Sequence, residues 1–130
     1  MQPDAEWWVR AGERDLAMAV DLERLQYHEG AALHCQQAAE KLLKALLVRK
    51  AQTLPRTHSC VELLETTARF GLIAPGPLVT AVRRLDRHYV DSRYPNGVGG
   101  APDRFYDATI TAEAIRDAQD VAAFVRGHLA

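Results

Sequence analysis

Arginine and histidine are concentrated in one short stretch of the chain, residues 83–95. Four residues separate Arg83 from His88, and three separate Arg84 from His88. An imidazole can transfer protons near neutral pH, and a guanidinium can hold phosphate oxygens and stabilise developing negative charge. These residues are therefore candidate catalytic groups for a substrate that carries a phosphate.

The spacing of these residues decides which of them can meet on one helix. At about 3.6 residues per turn, positions five apart point about 140° away from each other, so Arg83 and His88 would not meet. Arg84 and His88 would share a face, and either pair could also converge across a twofold dimer. A structural alternative stays open, because Asp86 and Asp91 stand at helical ion-pair spacing from arginines and predict a charged, solvated face.

The end of the same stretch, Arg93-Tyr94-Pro95, has two interpretations. In the structural one, the proline ends the helix, the tyrosine covers the end of the core and the arginine reaches back to carboxylates or carbonyls. In the functional one, Arg93 holds a phosphate and Tyr94 stacks on a base, helped by Lys41 or Lys44 from an earlier helix. Those four residues are a candidate nucleotide- or phosphate-binding site.

The other histidines and the cysteines predict no metal site. His28, His34 and His128 have no partner at metal-binding spacing. Cys35 and Cys60 lack a CxxC pairing, which indicates reduced, buried thiols and favours a reducing cytoplasm. We therefore expect a cytoplasmic protein that needs neither a metal nor another cofactor.

Length, composition and charge predict one domain over residues 1–130. The chain is 48% hydrophobic, which is enough for a core without metals or disulfides. Its 16 Lys and Arg stand against 17 Asp and Glu, so any RNA contact must be local. Charged residues interrupt every apolar stretch near the N-terminus, so we expect no signal peptide and no membrane span.

The strongest helical pattern lies in residues 35–47. Apolar residues recur there at spacings of three and four, and Glu40 is among the polar residues on the opposite side. We expect this helix to bury one side and to leave its polar side available for contact. It should begin after Gly30 and end near Lys50, in an antiparallel hairpin with a first helix that ends near Tyr27.

Three more helices are predicted beyond this hairpin. Ser59 and Glu62 form a capping-box pattern that opens a third helix, and the apolar spacing over residues 78–91 predicts a fourth. The glycine-rich segment 96–102 predicts a mobile loop, and a last helix follows Thr111. No segment alternates with the period of a strand for long enough to predict a sheet. We predict an all-α protein, an up-and-down bundle of four to five helices.

Three separated blocks occur in order along the chain. Trp8 and Asp15 of the first helix precede the run 36–47, Pro55-x-Thr57-His58 follows it, and the segment 85–95 ends in Arg-Tyr-Pro. Together these blocks resemble the HEPN family of small helical proteins from prokaryotes. Because they span nearly the whole chain, the resemblance implies one HEPN-like helical domain.

The resemblance also implies partners and a chemistry. Helical proteins of this family are usually encoded beside a small nucleotidyltransferase and bind it, in pairs similar to toxins and antitoxins. RNA-cleaving members carry an arginine a few residues before a histidine, as Arg83 and His88 stand here, and build a composite site across a homodimer. By analogy, His88 is the acid/base group when a ribose 2′-hydroxyl attacks the adjacent phosphate without a metal. Asn96 departs from the family pattern, in which an acidic residue follows Arg-Tyr-Pro.

Three functions follow as expectations. The first is a nucleotidyltransferase-associated protein of a toxin–antitoxin-like system that acts through homodimer and partner binding. The second is a metal-independent ribonuclease toxin that uses Arg83, or Arg84 in its place, together with His88. The third is a non-catalytic module that binds nucleotides.

Overall fold

A computed structural model describes residues 3–50 and 52–129, and within these ranges the chain forms helices and no strand. The helices are α1 (Pro3–Arg24), α2 (His28–Arg49), α3 (Cys60–Arg69), α4 (Gly76–Asp91), α5 (Pro95–Val98) and α6 (Ala108–His128), with a 3₁₀ turn at Pro102–Phe105 between the last two. The predicted all-α bundle is confirmed, and its five long helices are α1 to α4 and α6. None of these helices combines the length and the apolar character that crossing a membrane requires.

The hairpin of α1 and α2 forms, but the chain reverses earlier than expected. Gly30 lies inside α2, and the break falls on the three residues after Arg24. Gln26 has a φ of 68°, the left-handed conformation that ends a helix. The Tyr27 amide donates to the Leu22 carbonyl at 2.9 Å, which satisfies one of the last carbonyls of α1.

α2 is the central helix of the bundle. It packs against α1, α3, α4 and α6, and Leu42, Leu43 and Leu46 are fully buried. Small residues allow its neighbours to approach closely: a Cβ added to Gly12 of α1 would lie 2.8 Å from Cγ of Leu42. α2 is therefore in contact with four other helices of the subunit.

Most of the polar side of α2, which the sequence predicts to stay open, is covered, although the Lys41 side chain remains 30% exposed. Glu40 is only 4% exposed and Gln36 is completely buried. The reason is that the segment before α3 covers this side, where the Gln36 amide donates to the His58 carbonyl at 2.8 Å. The polar residues of α2 are thus internal connections between elements.

Local sequence signals place the ends of α3. The Ser59 hydroxyl accepts a hydrogen bond from the Glu62 amide at 3.2 Å, as the capping pattern predicts. At the other end Gly71 has a φ of 84°, and the Leu72 amide donates to the Thr67 carbonyl at 3.2 Å. This glycine-terminated end turns the chain towards α4.

The segment predicted to be a mobile loop contains regular structure. Its first residues belong to α5, and Pro102 opens the 3₁₀ turn. Proline at the start of each piece presets the backbone angle that a helical turn needs. The segment leads to Tyr106, which is buried against α4, and α6 then begins at the Asp107 cap. α6 packs against α1 and α2, as expected.

Candidate functional site

His88 lies on α4 beside an open cavity of about 250 Å³. Charged side chains from α4 form one wall, the end of the 3₁₀ turn forms another, and the first turns of α6 complete it. The polar and aromatic lining residues are Arg84, Arg87, Asp91, Phe105, Tyr106 and Glu113. The cavity therefore combines one imidazole, two guanidinium groups and two carboxylates.

The imidazole of His88 is held on one side. Its Nδ1 lies 2.8 Å from the Tyr106 hydroxyl oxygen, and the two rings meet at a tilt of 59°. Burial lowers the pKa of His88 below its ordinary value, although Asp91 and Asp117 act in the opposite direction. The ring is accordingly neutral near pH 7.

Arg84 enters the same cavity, but a carboxylate already binds it. Its Nε and Nη2 donate to the two carboxylate oxygens of Asp117 on α6 at 2.9 and 2.8 Å. This bidentate pair raises the pKa of Arg84 and keeps the guanidinium in one orientation. By contrast, Arg87 is exposed and lies within 4.0 Å of no carboxylate in residues 5–50 and 52–129. Arg87 is the cation of this cavity that is available to a ligand.

Arg83 lies elsewhere. It is exposed and lines a separate apolar depression between α3 and α4, with Val61, Leu64 and Val79. A single subunit therefore brings His88 together with Arg84 and not with Arg83, as the spacing on a helix requires. Arg83 could join His88 only from a second molecule.

The charged residues of α4 do not form the expected ion pairs along the helix. Asp86 instead accepts hydrogen bonds at the start of α3, from the Ser59 hydroxyl at 2.9 Å and from the amides of Cys60 and Val61 at 2.7 and 3.0 Å. In the described part of the chain neither Arg83 nor Arg87 lies within 4.0 Å of a carboxylate. The interpretation of α4 as a face of paired charges is thus not supported by these contacts.

Arg93 packs among aromatic rings at the end of α4. Its guanidinium carbon lies 4.4 Å from the centroid of Tyr89 and 5.0 Å from that of Tyr94, and its Nε donates to the Tyr89 carbonyl at 2.8 Å. His58 stacks on Tyr89 with centroids 4.6 Å apart. Tyr94 stays about half exposed. The Arg-Tyr-Pro end therefore has a structural role, and Tyr94 keeps a free surface.

The two lysines of the predicted phosphate site are each bound to a carboxylate. Lys41 donates to Asp15 at 2.6 Å and Lys44 donates to Glu40 at 2.9 Å. Burial acts to raise the pKa of Asp15, but hydrogen bonds from His34 and Lys41 outweigh it and lower the pKa below its usual value. Both lysines are thus neutralised within the subunit.

A chain of contacts still connects this region to Arg93. Nδ1 of His58 lies 3.2 Å from the same Glu40 carboxylate that binds Lys44, and the His58 ring stacks on Tyr89 below Arg93. His58 thereby joins α2 to α4, which gives the Pro-x-Thr-His block a structural function.

Both cysteines are free and buried, as predicted. Burial raises the pKa of Cys35 to about 12 and that of Cys60 well above its usual value, so neither forms a thiolate near neutral pH. Within the described ranges no three His, Cys, Asp or Glu side chains cluster closely enough to hold a metal ion.

The sequence did not predict the contacts of Tyr106 and Asp117 at this site. It also did not predict that Asp86 caps α3. Asp117 had a signal, because it falls beside Ala114 and Ala118 on the apolar side of α6, where an acid needs a partner. Tyr106 had none, since it follows a segment without helical periodicity.

Comparisons with known proteins agree on one family. A family model described as the HEPN domain matches residues 5–128. The crystal structure of TT1696 from Thermus thermophilus is 32% identical and superposes with a TM-score of 0.91 over 96% of this chain and 98% of that one. ST0689, an archaeal HEPN homologue, is 32% identical and gives a TM-score of 0.82 over 97% and 98% of the two chains. A search of the curated proteins finds no match.

Proposed function

This chain belongs to the HEPN domain family, and from that membership we propose that it is the helical partner of a small nucleotidyltransferase in a toxin–antitoxin-like system. It acts by binding a second copy of itself and the nucleotidyltransferase, in a reducing cytoplasm that keeps Cys35 and Cys60 as thiols.

The observation that carries this proposal is an exposed apolar surface on α1 and the turn after it. Trp7 is 65% exposed and Leu25 63%, and Met18, which is 38% exposed, shares their side of α1 by helical spacing. Tyr27 is exposed in the turn that follows. Exposed patches that contain large aromatic residues mark interaction sites, and tryptophan is a frequent anchor of binding energy. Trp8 differs from its neighbour, since it is half-buried beneath the Lys44 ammonium.

The exposed side of α4 is the second surface available for pairing. Arg83, Arg87 and Val90 are exposed there, and a twofold axis through this side would bring the two copies of α4 together. We assign the homodimer to this side of α4 and the nucleotidyltransferase to the surface of α1.

Co-purification tests the assignment. The protein is expressed with the nucleotidyltransferase encoded beside it, and light scattering gives the mass of each species. We expect Trp7→Ala to weaken binding of the nucleotidyltransferase roughly thirtyfold, the effect of losing an anchor worth about 2 kcal/mol. Phe70→Ala removes an exposed aromatic side chain from the end of α3 and should leave binding of the nucleotidyltransferase unchanged. A monomeric mass together with no co-purification would contradict the proposal.

A metal-independent ribonuclease is the second candidate function. The observation that favours it is the shared cavity of His88, Arg84 and Arg87, where the imidazole stands beside the Arg87 guanidinium, which pairs with no carboxylate in the described part of the chain. In the dimer, Arg83 of one subunit supplies the phosphate contact for His88 of the other. The ribose 2′-oxygen bonds to the adjacent phosphorus as His88 takes its proton, the bond from phosphorus to the 5′-oxygen breaks, and that oxygen takes the proton from His88.

Mixed dimers provide the sharpest test of this activity. RNA cleavage is measured in the presence of a chelator, and we expect Arg83→Ala and His88→Ala each to abolish it. When the two inactive variants are mixed, half of the dimers are hybrids and each hybrid has one intact composite site. Roughly a quarter of wild-type activity should return. Activity in His88→Ala alone, or no cleavage of varied RNAs by the wild type, would remove the ribonuclease proposal.

Nucleotide binding is retained as a third candidate because Arg93 and the half-exposed Tyr94 lie side by side. A phosphate on Arg93 and a base on Tyr94 would fit this pair, whereas Lys41 and Lys44 would have to leave their carboxylates to assist. Calorimetry with ATP, GTP and their diphosphates tests it, and the absence of heat would exclude it.

A further inference from the structure

Tyr106 joins the segment after the 3₁₀ turn to the imidazole of α4. The residue is 8% exposed, and its hydroxyl oxygen lies 2.8 Å from Nδ1 of His88. This is the one hydrogen bond of the hydroxyl within residues 3–50 and 52–129. Tyr106 thus touches the histidine on which the proposed ribonuclease chemistry depends.

The direction of this hydrogen bond follows from what each atom can do. If Nδ1 carried the proton and donated it, the Tyr106 O–H would have no protein acceptor among the described residues, which disfavours that arrangement for a side chain that is largely buried. Burial also raises the pKa of Tyr106, so the hydroxyl keeps its proton and is available as a donor. These two points favour the Tyr106 O–H as the donor and Nδ1 of His88 as the acceptor.

The other ring nitrogen is open. Nε2 has no hydrogen-bond partner in the described residues, and none of the buried side-chain nitrogens or oxygens there is left without a partner. Nε2 must then be accessible to solvent, on a residue that lines the cavity. With Nδ1 occupied as an acceptor, a neutral ring has its one proton on Nε2.

We propose that Tyr106 is a positioning residue that holds neutral His88 in the Nε2–H form, so that the ring presents an N–H donor to an anionic oxygen in the cavity. Arg87 supplies the charge at the same site, while Asp91 and Glu113 on the cavity wall repel any anion that approaches from their side. The ligand class is a phosphate group whose oxygen accepts from Nε2–H.

For RNA this inference rests on the ribonuclease proposal and changes the role of His88 within it. A ring with its proton on Nε2 cannot accept the 2′-hydroxyl proton at that atom. His88 instead stabilises charge on a phosphate oxygen by a hydrogen bond. Water in the open cavity takes the proton of the attacking 2′-hydroxyl and gives a proton to the departing 5′-oxygen.

Nitrogen NMR of the whole protein tests the tautomer without any substrate. Two-bond proton–nitrogen spectra at a pH where the ring is neutral distinguish a protonated Nε2 from a protonated Nδ1, and His88→Gln identifies the His88 signals. In the wild type we expect the His88 signals of a ring that is protonated at Nε2 alone. We expect a mixture of both forms in Tyr106→Phe, which removes only the hydroxyl. Phe70→Leu, at an exposed aromatic residue at the end of α3, is the control and should leave the His88 signals unchanged.

The outcomes separate this inference from the ribonuclease proposal. A protonated Nδ1 in the wild type overturns the inference, and so does an unchanged His88 spectrum in folded Tyr106→Phe. If Tyr106→Phe does not fold, the wild-type spectrum still decides the tautomer. Where RNA is cleaved, Tyr106→Phe should lower kcat/KM by up to about tenfold, the effect of one hydrogen bond. If the wild type cleaves no RNA, only the ribonuclease proposal fails, because the spectra stand without it.

Discussion

Asp86 stabilises the start of α3 from a neighbouring helix. Its two carboxylate oxygens accept from the Ser59 hydroxyl and from the first two amides of α3, groups that have no partner inside their own helix. The negative charge also lies at the positive end of the α3 dipole. One side chain thereby orients α3 relative to α4.

Removing this carboxylate should lower the free energy of unfolding by more than the removal of an ordinary surface charge does. We expect Asp86→Ala to lower the free energy of unfolding by about 2 kcal/mol, the upper range for loss of a cap. Asp103→Ala serves as the control, because Asp103 is exposed and should change stability by less than about 0.5 kcal/mol. Urea denaturation measures both, and equal effects would show that Asp86 is not a cap.

The carboxyl group of Asp15 makes the folding stability of the protein depend on pH in the acid range. Its pKa is lowered in the folded chain because His34 and Lys41 hydrogen-bond to the charged form. The stabilisation is therefore fully present above the unfolded value of 3.8 and is lost as the pH falls through the lower folded pKa. We expect Asp15→Asn to be less stable than the wild type near neutral pH and the difference to shrink below pH 3.8. Thermal unfolding at a series of pH values measures the difference in stability between the two proteins. A difference that stays constant with pH would contradict the prediction.

At the scale of elements, the α1–α2 hairpin depends on close approach. α1 crosses α2 at Gly12, where an added Cβ would lie 2.8 Å from Leu42 Cγ and 3.2 Å from the Ala38 carbonyl oxygen. Gly127 provides a contrast, since it lies in α6 and a Cβ there meets nothing within 4 Å.

Replacing each of the two glycines by alanine should change the free energy of unfolding in opposite directions. We expect Gly12→Ala to destabilise the protein by about 1–3 kcal/mol, because the buried leucine has to move. Gly127→Ala should stabilise it by about 0.5–1 kcal/mol, because alanine restricts the unfolded chain and favours a helix. Denaturation midpoints of both variants measure the contrast. If both substitutions changed the stability in the same direction, α1 and α2 would not approach closely at Gly12.

The element that the sequence described least well is the connection between α4 and α6. Its glycines predict mobility, yet Gly100 packs against Phe105 and the segment ends with Tyr106 on His88. Contacts made by distant residues order this segment, and local composition does not record them. The proposed tautomer of His88 depends on that order.

At the scale of the whole molecule, one core unites the long helices. Cys35 of α2 and Cys60 of α3 belong to the same buried cluster as Leu85 of α4 and Val121 of α6. No part of this core is separate from the rest, so we expect it to open as one unit.

Thiol labelling tests that cooperativity. Cys35 and Cys60 are completely buried, and their raised pKa values suppress the thiolate, so both should react only when the protein unfolds. We expect the two to be labelled at one common slow rate in buffer and rapidly in denaturant. Rapid labelling of one cysteine in buffer would show that its part of the core opens independently.

The sequence by itself determined the class of fold and most helix ends. Apolar spacing of three and four, the Ser59 cap and Gly71 act over a few residues, so they can be recognised without knowledge of the rest of the chain. The spacing also determined that Arg84 and not Arg83 shares a face with His88. The hairpin break was misplaced, because Gln26 adopts the conformation that a glycine usually provides.

The tertiary structure alone decided which polar groups are free to act. It buried Glu40, bound Lys41, Lys44 and Arg84 to carboxylates, and brought Tyr106 to His88. Each of these results depends on which helix lies opposite a given side chain. That choice follows from packing five amphipathic helices into one bundle with α2 at its centre, and residue spacing along one helix does not specify it.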